Sequence, residues 1–87
     1  MTAPVVVYRT RVCPYCVLAT RLLDRRRIAY TEVFLDGKPA ERAALQARTQ
    51  FMTVPQVFVR GRFIGGYSEL AQLDVTGELQ RLAAEGS

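Results

Sequence analysis

At 87 residues, with a net charge of +4, the chain has room for one small domain and a single core. Its hydrophobic fraction of 49% and charged fraction of 23% are those of an ordinary soluble globular protein, without repeats, linkers or low-complexity segments. No apolar run nears the roughly 18 residues of a membrane span, and Met1-Thr2-Ala3-Pro4 lacks the basic and apolar regions of a signal peptide. No membrane partner and a cytoplasmic location are therefore expected.

Pro4 to Arg9 is a short run of β-branched residues, the pattern of a buried strand. From Pro14 to Arg27 the residues Tyr15, Leu18, Ala19, Leu22 and Leu23 recur at helical spacing, and Pro14 suits the first helical position. Ile28 to Leu35 reads as a second strand, Asp36-Gly37 as a turn and Pro39 to Arg48 as a short helix. Gln56 to Arg60, Gly61 and Arg62 to Ile64 form a hairpin. After Gly65-Gly66, Ser68 is placed to cap a last helix, which divides near Asp74 with Thr76 as a second cap. The order β-α-β-α-β-β-α predicts an α/β fold. A right-handed crossover makes the first two strands parallel, the hairpin adds antiparallel ones, and helices flank both faces of a mixed four-stranded sheet.

Every positive charge except Lys38 is an arginine, and the arginines are scattered. Only Arg25-Arg26-Arg27 forms a run, and it falls where the first helix ends, so its cations complement the helix dipole. A nucleic-acid role then has net charge alone behind it, and none is expected.

The only cysteines are Cys13 and Cys16, at the first strand-to-helix junction. Three residues apart on a helix, their Cα atoms lie roughly 5 Å apart, within reach of a disulfide. Cys13 takes the N-cap, where unpaired N–H groups and the dipole favour a thiolate, with Arg9 and Arg11 adding positive potential. Cys16, one turn further in, should be more buried. Zinc would need four ligands, and the chain has no His and no further Cys, so no metal is expected. A structural disulfide closing so short a loop would stabilise little. A redox pair is the stronger reading, with Cys13 the attacking nucleophile and Cys16 resolving the mixed disulfide.

Three motifs, Cys13-Pro14-Tyr15-Cys16, Thr53-Val54-Pro55 and Gly65-Gly66-Tyr67-Ser68-Glu69, together resemble the dithiol glutaredoxins, closest to the small bacterial glutaredoxin 3 type. The resemblance covers nearly the whole chain and implies a thioredoxin-like fold. It also implies a glutathione-dependent oxidoreductase that reduces protein disulfides and glutathione mixed disulfides as a monomer. On it, Pro55 is cis and the backbone of Val54, after Thr53, pairs with the cysteinyl part of glutathione as an added strand would. Gly66, Tyr67 and Ser68 open a helix whose N–H groups take the γ-glutamyl carboxylate. Glu69 accepts from the γ-glutamyl ammonium, Tyr15 flanks the sulfur, and Arg42 faces the glycine carboxylate.

Two positions depart from the family pattern. Its basic residue three places before the nucleophile is Thr10 here, leaving Arg11 as the preferred substitute over Arg9, and Met52 stands where Arg is frequent. A weaker carboxylate clamp is expected. The alternative it leaves open is an electron donor, for example to ribonucleotide reductase, that is itself reduced by a thioredoxin-reductase-type flavoenzyme. An iron–sulfur module is disfavoured by Pro14, because relatives of that kind carry Gly or Ser there.

Overall fold

A computed structural model of the chain describes residues 3–85. Its elements run β1 (Val5–Arg9), α1 (Pro14–Arg25), β2 (Tyr30–Phe34), α2 (Pro39–Thr49), β3 (Gln56–Val59), β4 (Arg62–Gly65), α3 (Tyr67–Val75) and α4 (Glu78–Ala84). The strands lie in the order β2-β1-β3-β4, with β1 parallel to β2 and antiparallel to β3, and β3 antiparallel to β4. This is the mixed four-stranded sheet that the order of elements predicts.

Alternation along the two central strands divides the core. Val5, Val7, Val57 and Val59 point to one face, where they meet Ala19, Leu22 and Leu23 of α1, Leu70 of α3 and Leu79 of α4. Phe58 points to the other, where Leu35, just after β2, and Leu45 of α2 close a smaller cluster with Val6 and Tyr8 against it. Strand β1 is thus covered on both sides, as its near-continuous apolar sequence requires.

The chain leaves α1 earlier than periodicity suggests. Arg27 has φ 57°, its N–H bonds to Asp24 C=O, and the Ile28 N–H bonds to Leu23 C=O. That is a Schellman ending with an arginine in the left-handed position usually given to glycine. Ile28 then packs on the main core rather than pairing, so β2 begins at Tyr30. Arg26, from the same run, makes two bonds of 2.7 and 3.1 Å to the Asp74 carboxylate and so ties the end of α1 to α3.

The hairpin turns at Arg60 and Gly61, with φ 51° and 81°. Positive φ at both positions marks the type I′ geometry whose twist suits two-residue hairpins. The Arg60 guanidinium donates twice to the Ala83 C=O, at 3.0 and 2.7 Å, holding α4 to the turn. Two cap assignments differ from expectation. Gly66, not Ser68, is the N-cap of α3, because the Glu69 carboxylate accepts the Gly66 N–H at 2.8 Å and fixes the helix start two residues earlier. Gly77, at φ 80°, opens α4, while the Thr76 hydroxyl accepts the Glu78 N–H at 3.4 Å.

Leu23 is fully buried where α1 meets the sheet and α3. Leu23→Ala should lower unfolding free energy by about 2–5 kcal/mol in a denaturant titration, with an unchanged slope. A loss below 0.5 kcal/mol, roughly the surface-substitution range, would contradict this packing.

Candidate active site

β1 delivers the chain to the N-terminus of α1, and Cys13 stops there in extended conformation (φ −155°, ψ 102°) as the N-cap. Its Sγ accepts the Cys16 N–H at 3.2 Å, and its C=O receives the Val17 N–H at 3.1 Å. Pro14 follows at the first helical position, where no N–H is wanted. Cys13 and Cys16 are joined as a disulfide, with Cα atoms 5.2 Å apart. The two sulfurs are not equivalent. Cys16 is fully buried in the packed face of α1, whereas Cys13 is half-buried and opens to the surface. On reduction, charge on Cys13 is stabilised by the N–H aimed at it and by the positive end of α1.

Opposite this sulfur the Val54–Pro55 bond is cis, and the Val54 carbonyl oxygen lies 3.8 Å from Cys13 Sγ. From here a groove of about 370 Å³ runs to the N-terminus of α3. Tyr15, Thr53, Val54, Pro55, Gly66, Tyr67, Ser68 and Glu69 all line it. The rings of Tyr15 and Tyr67 stand 6.2 Å apart along one wall. At the far end, Leu70 N–H makes the first helical bond, to Gly66 C=O, and the Gly66 N–H is taken by Glu69. The backbone N–H groups of Tyr67, Ser68 and Glu69 remain directed out of the helix end, which suits an anion.

Arg11 and Arg42 are not among the residues that line the groove. The Arg11 N–H is held 3.1 Å from both carboxylate oxygens of Asp36, and its guanidinium lies over the Phe34 ring, 5.4 Å from the centroid. Asp36 and Phe34 thus draw it toward β2. Arg9 adds no free charge at the cysteines either. It is buried, bonds Glu32 at 2.8 Å and stacks on Phe34, so the positive potential expected from it is neutralised. Arg42 lies half-buried on α2. Among the described residues no group of three His, Cys, Asp or Glu side chains converges as a metal site.

Phe51 lines the groove without having been singled out in the sequence. It packs edge-on against Phe63, 5.4 Å between centroids, and its ring lies 3.3 Å from where a Cβ on Gly66 would stand. A Cβ there would stand equally close to the Pro55 C=O, tighter than side chains ordinarily pack. An aromatic just ahead of Thr53-Val54-Pro55, facing a Gly-Gly pair, was the available signal.

The difference in burial gives a direct expectation. After reduction, a brief pulse of alkylating reagent at neutral pH should label Cys13 alone, as read by peptide mass spectrometry. Equal labelling of Cys16 would contradict the assigned roles.

Known proteins fit this geometry. The glutaredoxin family model matches residues 5–64. The chain is 40% identical to a glutaredoxin of Pseudomonas aeruginosa over 91% of its own length and 94% of the relative's. It is 38% identical to glutaredoxin 3 of Escherichia coli over 92% and 96%. Among solved structures, a buckwheat glutaredoxin in complex with glutathione superposes with a TM-score of 0.91 at 32% identity, over 95% of this chain and 78% of that one. With this thioredoxin-like sheet and a cysteine pair poised at a helix end, the chain belongs to the glutaredoxin family and is a thiol–disulfide oxidoreductase.

Proposed function

We propose that this oxidoreductase works on glutathione mixed disulfides and protein disulfides, with glutathione as its electron donor in the reducing cytoplasm. The observation that carries the reading is the 3.8 Å approach of Val54 C=O to Cys13 Sγ, at the mouth of a groove that ends on outward-facing N–H groups. Glutathione has matching parts in that order: a sulfur, a peptide-like backbone beside it and a terminal carboxylate. The chain's net charge of +4 favours a substrate that is anionic overall.

In the first step the Cys13 thiolate attacks the glutathione sulfur of a protein–glutathione disulfide. A new sulfur–sulfur bond joins Cys13 to glutathione, and the electron pair of the broken bond leaves with the protein thiolate, which takes a proton from water. A second glutathione thiolate then attacks the bound glutathione sulfur, forming glutathione disulfide and returning Cys13 as thiolate. With a protein disulfide as substrate, Cys16 attacks Cys13 instead. The protein thiol is released and Cys13–Cys16 is left as a disulfide.

One observation favours a second reading. Arg11 and Arg42 stand outside the groove and Met52 is uncharged, so few side-chain cations face a glutathione carboxylate. An electron donor to an enzyme such as ribonucleotide reductase, re-reduced by a flavoenzyme, needs no such clamp. Following re-reduction of the oxidised protein by glutathione alone, and then by NADPH with a thioredoxin-reductase-type enzyme, separates the two.

Cys13→Ser should abolish reduction of a glutathionylated peptide. Cys16→Ser should retain it while losing turnover of protein disulfides at least tenfold, a barrier increase of about 1.4 kcal/mol. Activity surviving in Cys13→Ser would refute the mechanism.

A further inference from the structure

Gln56 is the most deeply buried polar side chain among the described residues, only 1% exposed, and the redox chemistry makes no use of it. It begins β3, directly after the cis peptide, and pairs with Tyr8 in the ladder. Its Nε2 donates to the Phe51 C=O at 2.6 Å and to the Thr53 C=O at 3.2 Å. Its Oε1 lies 2.8 Å from the Thr49 hydroxyl, whose one proton it shares with the Leu45 C=O at 3.0 Å, and Thr49 Oγ1 in turn accepts the Phe51 N–H at 3.2 Å. Two carbonyls on one side fix the amide orientation, because only the NH₂ end can satisfy both. The network is complete: no buried side-chain nitrogen or oxygen among the described residues lacks a partner.

These bonds fall on the segment between α2 and β3. Residues 51 and 53 are clamped by their carbonyls, and Val54 lies between Thr53 and the buried Pro55. Phe51, gripped by its backbone, supports Gly66 from below with its ring. A single side chain therefore sets both the height of the Val54 backbone beside Cys13 and the floor under the N-terminus of α3.

We propose that Gln56 is a positioning residue for substrate recognition, holding the 51–54 backbone in register with the nucleophile without touching substrate. The proposal rests on the glutathione reading of the groove. It assigns Gln56 to binding and not to thiolate activation, since the N–H that meets Cys13 Sγ comes from α1.

Gln56→Glu tests it with almost no change of shape. A carboxylate there is acceptor-only and faces two carbonyl oxygens, so the clamp opens. Burial raises the titration range of such a group, and the protonated form still donates once, so the defect should grow as pH rises. Gln56→Leu removes the bonds at every pH. With a glutathionylated peptide as substrate, KM should rise about tenfold in each variant, the loss of one or two hydrogen bonds. The pH profile of Cys13 alkylation should stay at its wild-type position. An unchanged KM in the folded variants overturns the proposal, and so does an alkylation profile that shifts together with KM, because either leaves Gln56 a purely structural residue. Should neither variant fold, the wild-type Gln56 side-chain NH₂ resonances decide. Slow solvent exchange and a shift on adding glutathione support the role, and free-amide exchange or no shift overturns it. Failure of the wild-type protein to process the peptide at all would instead count against the glutathione reading itself.

Discussion

The contact between Cys13 Sγ and the Cys16 N–H at the start of α1 is the constraint around which the molecule is arranged. A thiolate needs compensation, and among the described residues the nearby arginines are engaged elsewhere: Arg9 is spent on Glu32 and Phe34, and Arg11 lies over Phe34. The helix end must therefore do so with backbone dipoles. That demands a helix whose first turn cannot fray, which Pro14 and the fully buried Cys16, Ala19 and Leu23 ensure.

The sheet then brings the recognition surface to this point. Because β1 and β3 are antiparallel neighbours, the C-terminal end of β1, where Cys13 follows, lies beside the N-terminal end of β3, where Val54 and Pro55 precede it. Because β4 pairs back along β3, its end returns the chain to the same edge and starts α3 at Gly66. Three segments far apart in sequence thus meet along one groove. On the proposed glutathione reading, the sulfur does the chemistry while the groove decides which disulfide reaches it.

Most of this was legible in the sequence. The apolar β-branched run Val5 to Val7, the helical spacing through Leu23 and the Arg60–Gly61 turn each carry a local signal, so elements and topology follow from them. The unequal burial of the two cysteines was legible too, because N-cap position and helical phase dictate access. What escaped was set by tertiary context. Arg27 replaces the glycine expected at a helix end, which hid the true limits of α1 and β2. Glu69, not Ser68, secures the start of α3, since a carboxylate reaching back three residues outcompetes a hydroxyl already inside the helix. Phe51 and Gln56 matter only through partners brought near by folding, and Arg9 changed role because Glu32 on the neighbouring strand lies within reach.

The most direct test of the central claim is the structure in solution of the Cys16→Ser protein carrying glutathione as a disulfide on Cys13. Intermolecular NMR contacts should place the glutathione cysteinyl N–H and C=O against the Val54 backbone and its γ-glutamyl group at the N–H groups of Tyr67 and Ser68. A glutathione attached at Cys13 but showing no contact to Val54 or to the start of α3 would contradict the account.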